Sequence, residues 1–317
     1  MAVRDFEFDL RALRQLLAVA ESGSMTRAAH RAGVAQPALS QQIRRVENAL
    51  GRALFDRHAR GVRLTAAGEE FVLHARKILG AVALAHTELF GAPGEIGGSV
   101  VVGLPISAAE LFGMDFIERI RTRHPALRLV MHDRSSTAVN GLLLSGELDL
   151  ALTFYRPLEK SVEATALYEE RLALVIPATF HAAGRPRVID IARLGEVPLA
   201  LLARPYGLRQ ILDDAARAAR VKLNVLYEFE SIHLLREAVV RGLACSVLPP
   251  GLVAPHLRRG RLYAAKLSGE SFRRTLYLAQ LTSRPASRSV GTARELLVGC
   301  SERAISAAPL SRFYRQA

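Results

Sequence analysis

A run of polar side chains from Gln36 to Asn48 stands on one side of a helical pattern. Leu39, Ile43, Val46 and Leu50 recur at i, i+4, i+7 and i+11, the spacing of a buried face. Pro37, Gln41, Arg44 and Asn48 fall on the opposite side, flanked by Ser40 and Arg45. That side holds amides, a hydroxyl and guanidiniums but no acid, because Glu47 lies nearer the buried face. Such groups suit base edges and phosphates: Gln pairs bidentately with adenine and Arg with guanine in the major groove. A second basic cluster follows, with Arg52, Arg57, Arg60 and Arg63 against Asp56 and with turn glycines at Gly51 and Gly61. It reads as a β-wing that carries guanidiniums to a nucleic-acid backbone or minor groove.

Catalytic chemistry finds no support. The chain has no G-x-G-x-x-G after its first apolar strand, no P-loop, no G-x-S-x-G and no H-E-x-x-H. Its nine histidines are scattered, and the adjacent His132-Asp133 falls on a strand, where neighbours point to opposite faces. Cys245 and Cys300 are too few for a disulfide framework or a zinc site, and their apolar neighbours predict buried thiols. No catalytic residue, metal or cofactor is expected.

Short helices must position the polar face. Leu10, Leu13, Leu16, Leu17 and Ala20 form an apolar helical stripe. Ser24 caps a second helix, Met25–Ala32, whose Ala28, Ala29 and Ala32 let a neighbour approach closely. Gly33 turns the chain into the third helix, which has Pro37 in its first turn. A short helix, a glycine turn and a helix with a polar outer face make a helix-turn-helix. From Thr65, a good N-cap, a helical pattern runs to Phe90. In it Phe71, Ala75, Ile78, Val82, Ala85 and Leu89 are spaced as a heptad seam. A seam roughly 35–40 Å long needs a partner helix.

The chain changes character at the Gly/Pro cluster 91–98, which reads as a hinge. Beyond it, apolar runs alternate with helical patterns. Strands at Ser99–Leu104, Leu127–Met131 and Leu148–Thr153 alternate with helices at Ala108–Arg123 and Thr137–Ser145. A second round places strands at Leu172–Ile176, Leu199–Leu202, Val225–Phe229 and Cys245–Leu248, with helices at Tyr206–Arg220 and Ile232–Arg241. Leu262–Leu267 and Thr275–Leu281 read as further strands before a basic helical tail. The alternation predicts parallel, doubly wound sheets in paired subdomains. Ligands bind such folds at strand carboxyl ends. Ser107, Ser135, Thr137, Ser231 and Pro249 stand there; for any one hydroxyl alone the role of helix cap is favoured, and convergence on one cleft is the functional reading. Arg204 adds a guanidinium able to hold a carboxylate.

Composition agrees. The 317 residues include 43 Lys+Arg against 30 Asp+Glu, a net charge of +13 that favours a polyanionic partner. Only four of the cations are lysines, which also fits an Arg-rich proteome. With 50% hydrophobic residues the chain has material for two or three cores. No signal peptide or apolar membrane span is visible, so a cytoplasmic protein is expected.

These residues carry a family resemblance. Residues 10–68 closely resemble the winged helix-turn-helix of LysR-type transcriptional regulators. The match runs through Ser24-Met25-Thr26-Arg27-Ala28-Ala29, Ala35-Gln36-Pro37-Ala38-Leu39-Ser40-Gln41-Gln42-Ile43, Glu47 and Leu50-Gly51. It continues through Leu54-Phe55-Asp56-Arg57 and Arg60-Gly61-Val62-Arg63-Leu64-Thr65-Ala66-Ala67-Gly68. The resemblance implies DNA contact through Thr26, Gln36, Pro37, Ser40, Gln41 and Arg44, with Arg57, Arg60 and Arg63 in the wing. Gln41 stands where many members have Arg, and Ala35 where Ser often caps. An antiparallel linker-helix homodimer on an inverted-repeat operator is implied, with tetramers and contact with RNA polymerase.

Residues 99–282 resemble the family's effector-binding domain, itself similar to periplasmic solute-binding proteins. The carriers are Leu142–Leu152 and Gly242–Pro249. The implied fold class is α/β overall: an N-terminal all-α winged helix-turn-helix and long linker helix, then two Rossmann-like α/β subdomains. The expected divisions are 1–64, 65–90, a hinge at 91–98, the effector domain 99–282 and a basic tail 283–317. The first subdomain takes about 99–171 and 269–300, the second about 172–268. A small anionic or amino-acid-like effector is expected between them. Phe229-Glu230-Ser231-Ile232 looks closest to the nitrogen-assimilation-control branch, which implies the alternative of a regulator governed by its own abundance. A cytoplasmic solute-binding protein, the remaining alternative, does not account for the winged helix.

Overall fold

The computed structural model describes residues 9–58, 61–90, 96–180, 186–204, 207–283, 287–307 and 310–316. They form two compact units, the first made mainly of residues up to Gly98 and the second of residues from Ser99 onward. The expected hinge falls largely on 91–95, outside the described residues.

In the first unit α1 (Leu10–Ser22), α2 (Met25–Ala32) and α3 (Gln36–Leu50) pack around Leu16, Val19, Ala28, Leu39, Ile43 and Val46, all buried. Asp9 caps α1 by accepting from the Ala12 N–H at 2.8 Å, and Ser24 caps α2. The chain leaves α1 and α2 through Gly23 and Gly33 at φ of 60° and 65°, the left-handed backbone that glycine adopts without penalty. The wing is an antiparallel pair, β1 (Phe55–His58) and β2 (Gly61–Leu64), with Asp56 opposite Arg63 and Arg57 opposite Val62. It docks on the α1–α2 turn through the Val62 N–H, which donates to the Gly23 carbonyl at 3.0 Å.

Thr65 joins the wing to α4 (Ala66–Phe90): its hydroxyl donates to the Ala53 carbonyl at 2.8 Å and accepts from the Gly68 N–H at 3.0 Å. The first turns of α4 belong to the winged core, with Val72 and Ala75 buried and Phe71 packed beside them.

The second unit has two lobes. Strands β3 (Gly98–Pro105), β4 (Leu127–Arg134), β5 (Leu150–Thr153) and β6 (Val162–Arg171) begin the first lobe. Its helices are α5 (Ile106–Ala108), α6 (Met114–Arg123) and α7 (Ser136–Leu144). A π turn at Ala109–Gly113 joins α5 to α6, so the expected single helix is interrupted. The chain then crosses into β7 (Ala173–Pro177), β8 (Val188–Ile189), β9 (Leu199–Leu202), α8 (Gly207–Ala218), β10 (Val225–Phe229), α9 (Ile232–Val240), β11 (Ser246–Leu248), α10 (Ala254–Arg258) and β12 (Leu262–Leu267). It returns through β13 (Arg273–Leu281), α11 (Arg288–Ser306) and β14 (Tyr314–Gln316).

The first lobe's sheet has the order β14-β6-β13-β5-β3-β4. The second lobe's strands run β11-β7-β12-β8, and Cys245 bridges them to the parallel pair β9-β10. Both sheets are mixed, a correction to the expected parallel sheets. The cause is the connection: β13 re-enters the first lobe from the second and so lies antiparallel to both β5 and β6. The two crossings are tied where they meet, the Leu172 N–H donating to the Phe272 carbonyl at 2.8 Å.

Gly68 marks the tightest approach in the first unit, since a Cβ there would lie 2.0 Å from the Leu54 carbonyl oxygen. Gly68→Ala gains helix propensity of about 1 kcal/mol but forces α4 off the wing, so a net loss of about 1–3 kcal/mol is expected. Chemical denaturation of the full chain checks it, and an unchanged or raised midpoint for the winged-helix transition overturns the packing argument.

Candidate functional site

The outer face of α3 is open. Gln36, Pro37, Gln41, Arg44, Arg45 and Asn48 are exposed and Ser40 is half-buried. Glu47 is turned away from them, its Oε1 accepting from the Leu54 N–H at 2.8 Å and the Phe55 N–H at 3.1 Å. The one acid of α3 is therefore spent on fastening the wing. Ala35 supplies no side-chain cap, which leaves the first-turn N–H groups of α3 for an outside acceptor. Thr26, on α2, is exposed.

The wing arginines divide. Arg57 reaches back to α3, its Nη1 donating to Ser40 Oγ at 3.0 Å, and joins the polar face of that helix. Arg63 is exposed and, one residue on from the partner of Arg57, stands on the other face of the hairpin. Arg60 lies outside the described residues.

The α4 seam also divides. Phe71 and Ala75 pack inward, whereas Ile78 and Val82 are 45% and 38% exposed and Ala85 is exposed. The side chain of Leu89 lies outside the described residues. Among the described residues no helix is long and apolar enough to cross a membrane.

Between the lobes the expected residues do not all converge. Ser107, buried at the end of β3, accepts from Arg274 Nη2 at 3.1 Å. Arg274 is the group that sequence reasoning missed. Its Nε donates to Glu170 at 2.5 Å, and its guanidinium lies 3.4 Å from the centroid of the Phe154 ring. Burial pushes the Glu170 carboxyl up, while Arg274 pulls the other way. Their only signal in the sequence is the complementary pair of doublets, Glu169-Glu170 and Arg273-Arg274, on strands about a hundred residues apart.

Ser135 and Ser231 instead serve as caps: Ser135 Oγ accepts from the Ala138 N–H and Ser231 Oγ from the Leu234 N–H, both at 3.3 Å. Thr137 is exposed and Pro249 buried. Ser136 turns inward, accepting from the Phe154 N–H at 3.1 Å. Arg204 is 71% exposed and donates to Asp213 Oδ2 at 2.7 Å, while Arg209 holds the other oxygen at 2.9 Å. Burial would raise the Asp213 carboxyl, but these two guanidiniums outweigh it and hold it below the usual range.

Both cysteines are buried. Burial pushes the Cys245 thiol up to about 12, and burial with the Asp115 carboxylate pushes Cys300 up to about 11. Reactivity belongs to the thiolate, so neither is poised for redox chemistry at neutral pH.

Comparison with known proteins agrees with this organisation. Residues 10–69 match the family described as "Bacterial regulatory helix-turn-helix protein, lysR family", and residues 93–299 match the "LysR substrate binding domain". The chain is 29% identical over 296 residues to the nitrogen assimilation regulatory protein nac of Klebsiella aerogenes, covering 93% of this chain and 96% of that one. It is 32% identical over 272 residues to the HTH-type transcriptional regulator BbuR of Bordetella bronchiseptica, covering 85% and 82%. The fold matches a full-length OxyR variant from Pseudomonas aeruginosa with a TM-score of 0.73 at 24% identity, over 98% of this chain and 99% of that one. With both parts of the family's architecture in order along one sequence, the chain belongs to the LysR family and is a transcriptional regulator, not an enzyme.

Proposed function

We propose that the chain binds an inverted-repeat operator as a homodimer that pairs into a tetramer. The observation that carries this reading is the acid-free exposed face of α3, completed by Arg57 bonded to Ser40. Thr26, Gln36, Pro37, Ser40, Gln41 and Arg44 contact the DNA from the helix-turn-helix. Arg57 works beside them, leaving Arg60 and Arg63 for the backbone. Two α4 helices pack through Ile78, Val82, Ala85 and Leu89, which sets two copies of α3 on successive major grooves.

The second unit receives a small anionic or amino-acid-like effector between its lobes and passes the change to the DNA-bound assembly and to RNA polymerase. Ser107 and Arg274 form the floor of that site, with Thr137 and Pro249 around it and with Ser135 and Ser231 acting through the helix ends they cap. Arg204 reaches an effector only by exchanging Asp213 for it. A second reading, control by abundance alone, is favoured by one feature: Glu170 and Asp213 already neutralise Arg274 and Arg204, so neither is left with an uncompensated charge. The likeness to two nitrogen assimilation regulatory proteins fits that reading.

Gln36→Ala and Arg44→Ala are each expected to cost about 1–3 kcal/mol of operator affinity, on DNA selected from a random pool, with little change on bulk DNA. Unaltered affinities and footprints for both variants overturn the assignment of α3. Ile78→Glu with Val82→Glu is expected to convert dimers to monomers in sedimentation experiments; a persistent dimer places the interface elsewhere. Thermal melting of the full chain against small carboxylates and amino acids separates the two sensor readings. An effector at a hundred times its Kd adds about 2.7 kcal/mol, whereas no shift across the panel supports control by abundance.

A further inference from the structure

The last residues of the chain lie beyond the matched family segment, which ends at residue 299. They read as a basic tail, yet they are built into both lobes. After α11, Leu310 is fully buried and Phe313 is 3% exposed. Phe313 packs against Ala173 of β7, Ala264 of β12 and Leu257 of α10, all in the second lobe. Arg312 donates from Nη2 to the Ala264 carbonyl at 3.0 Å, again in the second lobe. The next residues turn back as β14 and extend the first lobe's sheet, with Tyr314 opposite Glu170 and Gln316 opposite Tyr168. Tyr314 then bridges the lobes, because its hydroxyl accepts from the Gly251 N–H of the second lobe at 3.1 Å. A Cβ on Gly251 would stand 2.8 Å from that hydroxyl, so glycine is what admits the contact.

We infer that residues 310–316 are an internal strap that fixes the opening of the two sensor lobes, with Tyr314 as its positioning residue. Each lobe is joined to the other by two crossing strands, a connection that permits hinge motion. The strap adds a third connection at a different place, which removes the hinge's remaining freedom. It also reaches the Arg274 cluster of the first lobe, on which the proposed effector site rests. Tyr314, Glu170 and Arg274 stand in one row across β14, β6 and β13, and Arg274 continues to Ser107 and Phe154. A ligand that moves Arg274 therefore works against the strap, and release of the strap frees the lobes without a ligand. The π turn also meets the second lobe beside the strap: a Gly251 Cβ would lie 3.1 Å from the Leu111 side chain, and Glu110 pairs with Arg236 of α9 at 2.8 Å.

The test uses the full chain with spin labels at Met114→Cys on α6 and Leu234→Cys on α9, both positions exposed. The two native thiols are buried and stay unlabelled. The strapped chain gives one narrow label-to-label distance distribution. Tyr314→Phe, which removes only the hydroxyl, is expected to broaden it and to speed exchange of the Gly251 amide about five- to tenfold, the loss of one hydrogen bond. Phe313→Ala, which empties the seat in the second lobe, is expected to broaden it further. Distributions that superimpose on the parent for both variants, with Gly251 exchange unchanged, overturn the strap. That failure leaves the regulatory reading standing, because neither measurement depends on DNA or on an effector.

Discussion

A carboxylate taken out of water must be matched by donors, and that constraint organises both units of this chain. In the first unit Glu47 meets it with the backbone N–H groups of Leu54 and Phe55. Those groups open the wing, so the same contact that clears the outer face of α3 of negative charge also fixes the wing against that helix. Arg57 can then reach Ser40, because the hairpin that carries it is anchored a few residues earlier. The polar face of α3 is thus a product of two elements.

In the second unit Glu170 meets the constraint with Arg274. Removing a guanidinium and a carboxylate from water costs several kcal/mol per ion, and attraction repays this only with good geometry and further hydrogen bonds. Arg274 supplies both, through Ser107 and the face of Phe154. Breaking either partner would leave an uncompensated buried charge, so the pairing of β6 with β13 is held in one register. Around it Glu169 pairs with Arg273 and Arg171 with Glu270, giving the crossing a charge pattern that opposes register slips.

Much of this was legible where a residue's role follows from its own element. The period of Leu39, Ile43 and Val46 locates α3 and its outer face without any knowledge of the rest. Strands β3, β5, β7 and β9 are short apolar runs and declare themselves in the same way. Strand β6 does not: Glu163, Glu169 and Glu170 interrupt it, and of these Glu163 is exposed while Glu169 and Glu170 are matched by Arg273 and Arg274 of β13. β14 is three residues long and owes its existence to the exposed edge of β6 and to the seat for Phe313. The cluster of Ser107, Arg274, Glu170 and Phe154 is illegible for the same reason. Ser107 stands at a strand end, as the fold class requires, but Arg274 is one arginine among many until Glu170 and Phe154 select it. Arg204 shows the converse, a residue with suitable chemistry whose neighbour Asp213 already holds it.

The division of the α4 seam carries the argument one step further. Phe71, Val72 and Ala75 are packed into the winged-helix core, and the exposed apolar positions begin at Ile78, less than one turn later. One helix is thus packed into a core along its first turns and leaves an apolar face open beyond them. No loop separates the two stretches to absorb a change in angle, since Thr65 and Gly68 fix the start of the helix to the wing. A rotation imposed on the exposed half of α4 must therefore reach α3 through packed side chains, with the Glu47 contact carrying the wing along. In the proposed dimer the spacing of two α3 helices would be set by how the exposed halves of α4 meet, so the hold on DNA would change without alteration of either α3 face.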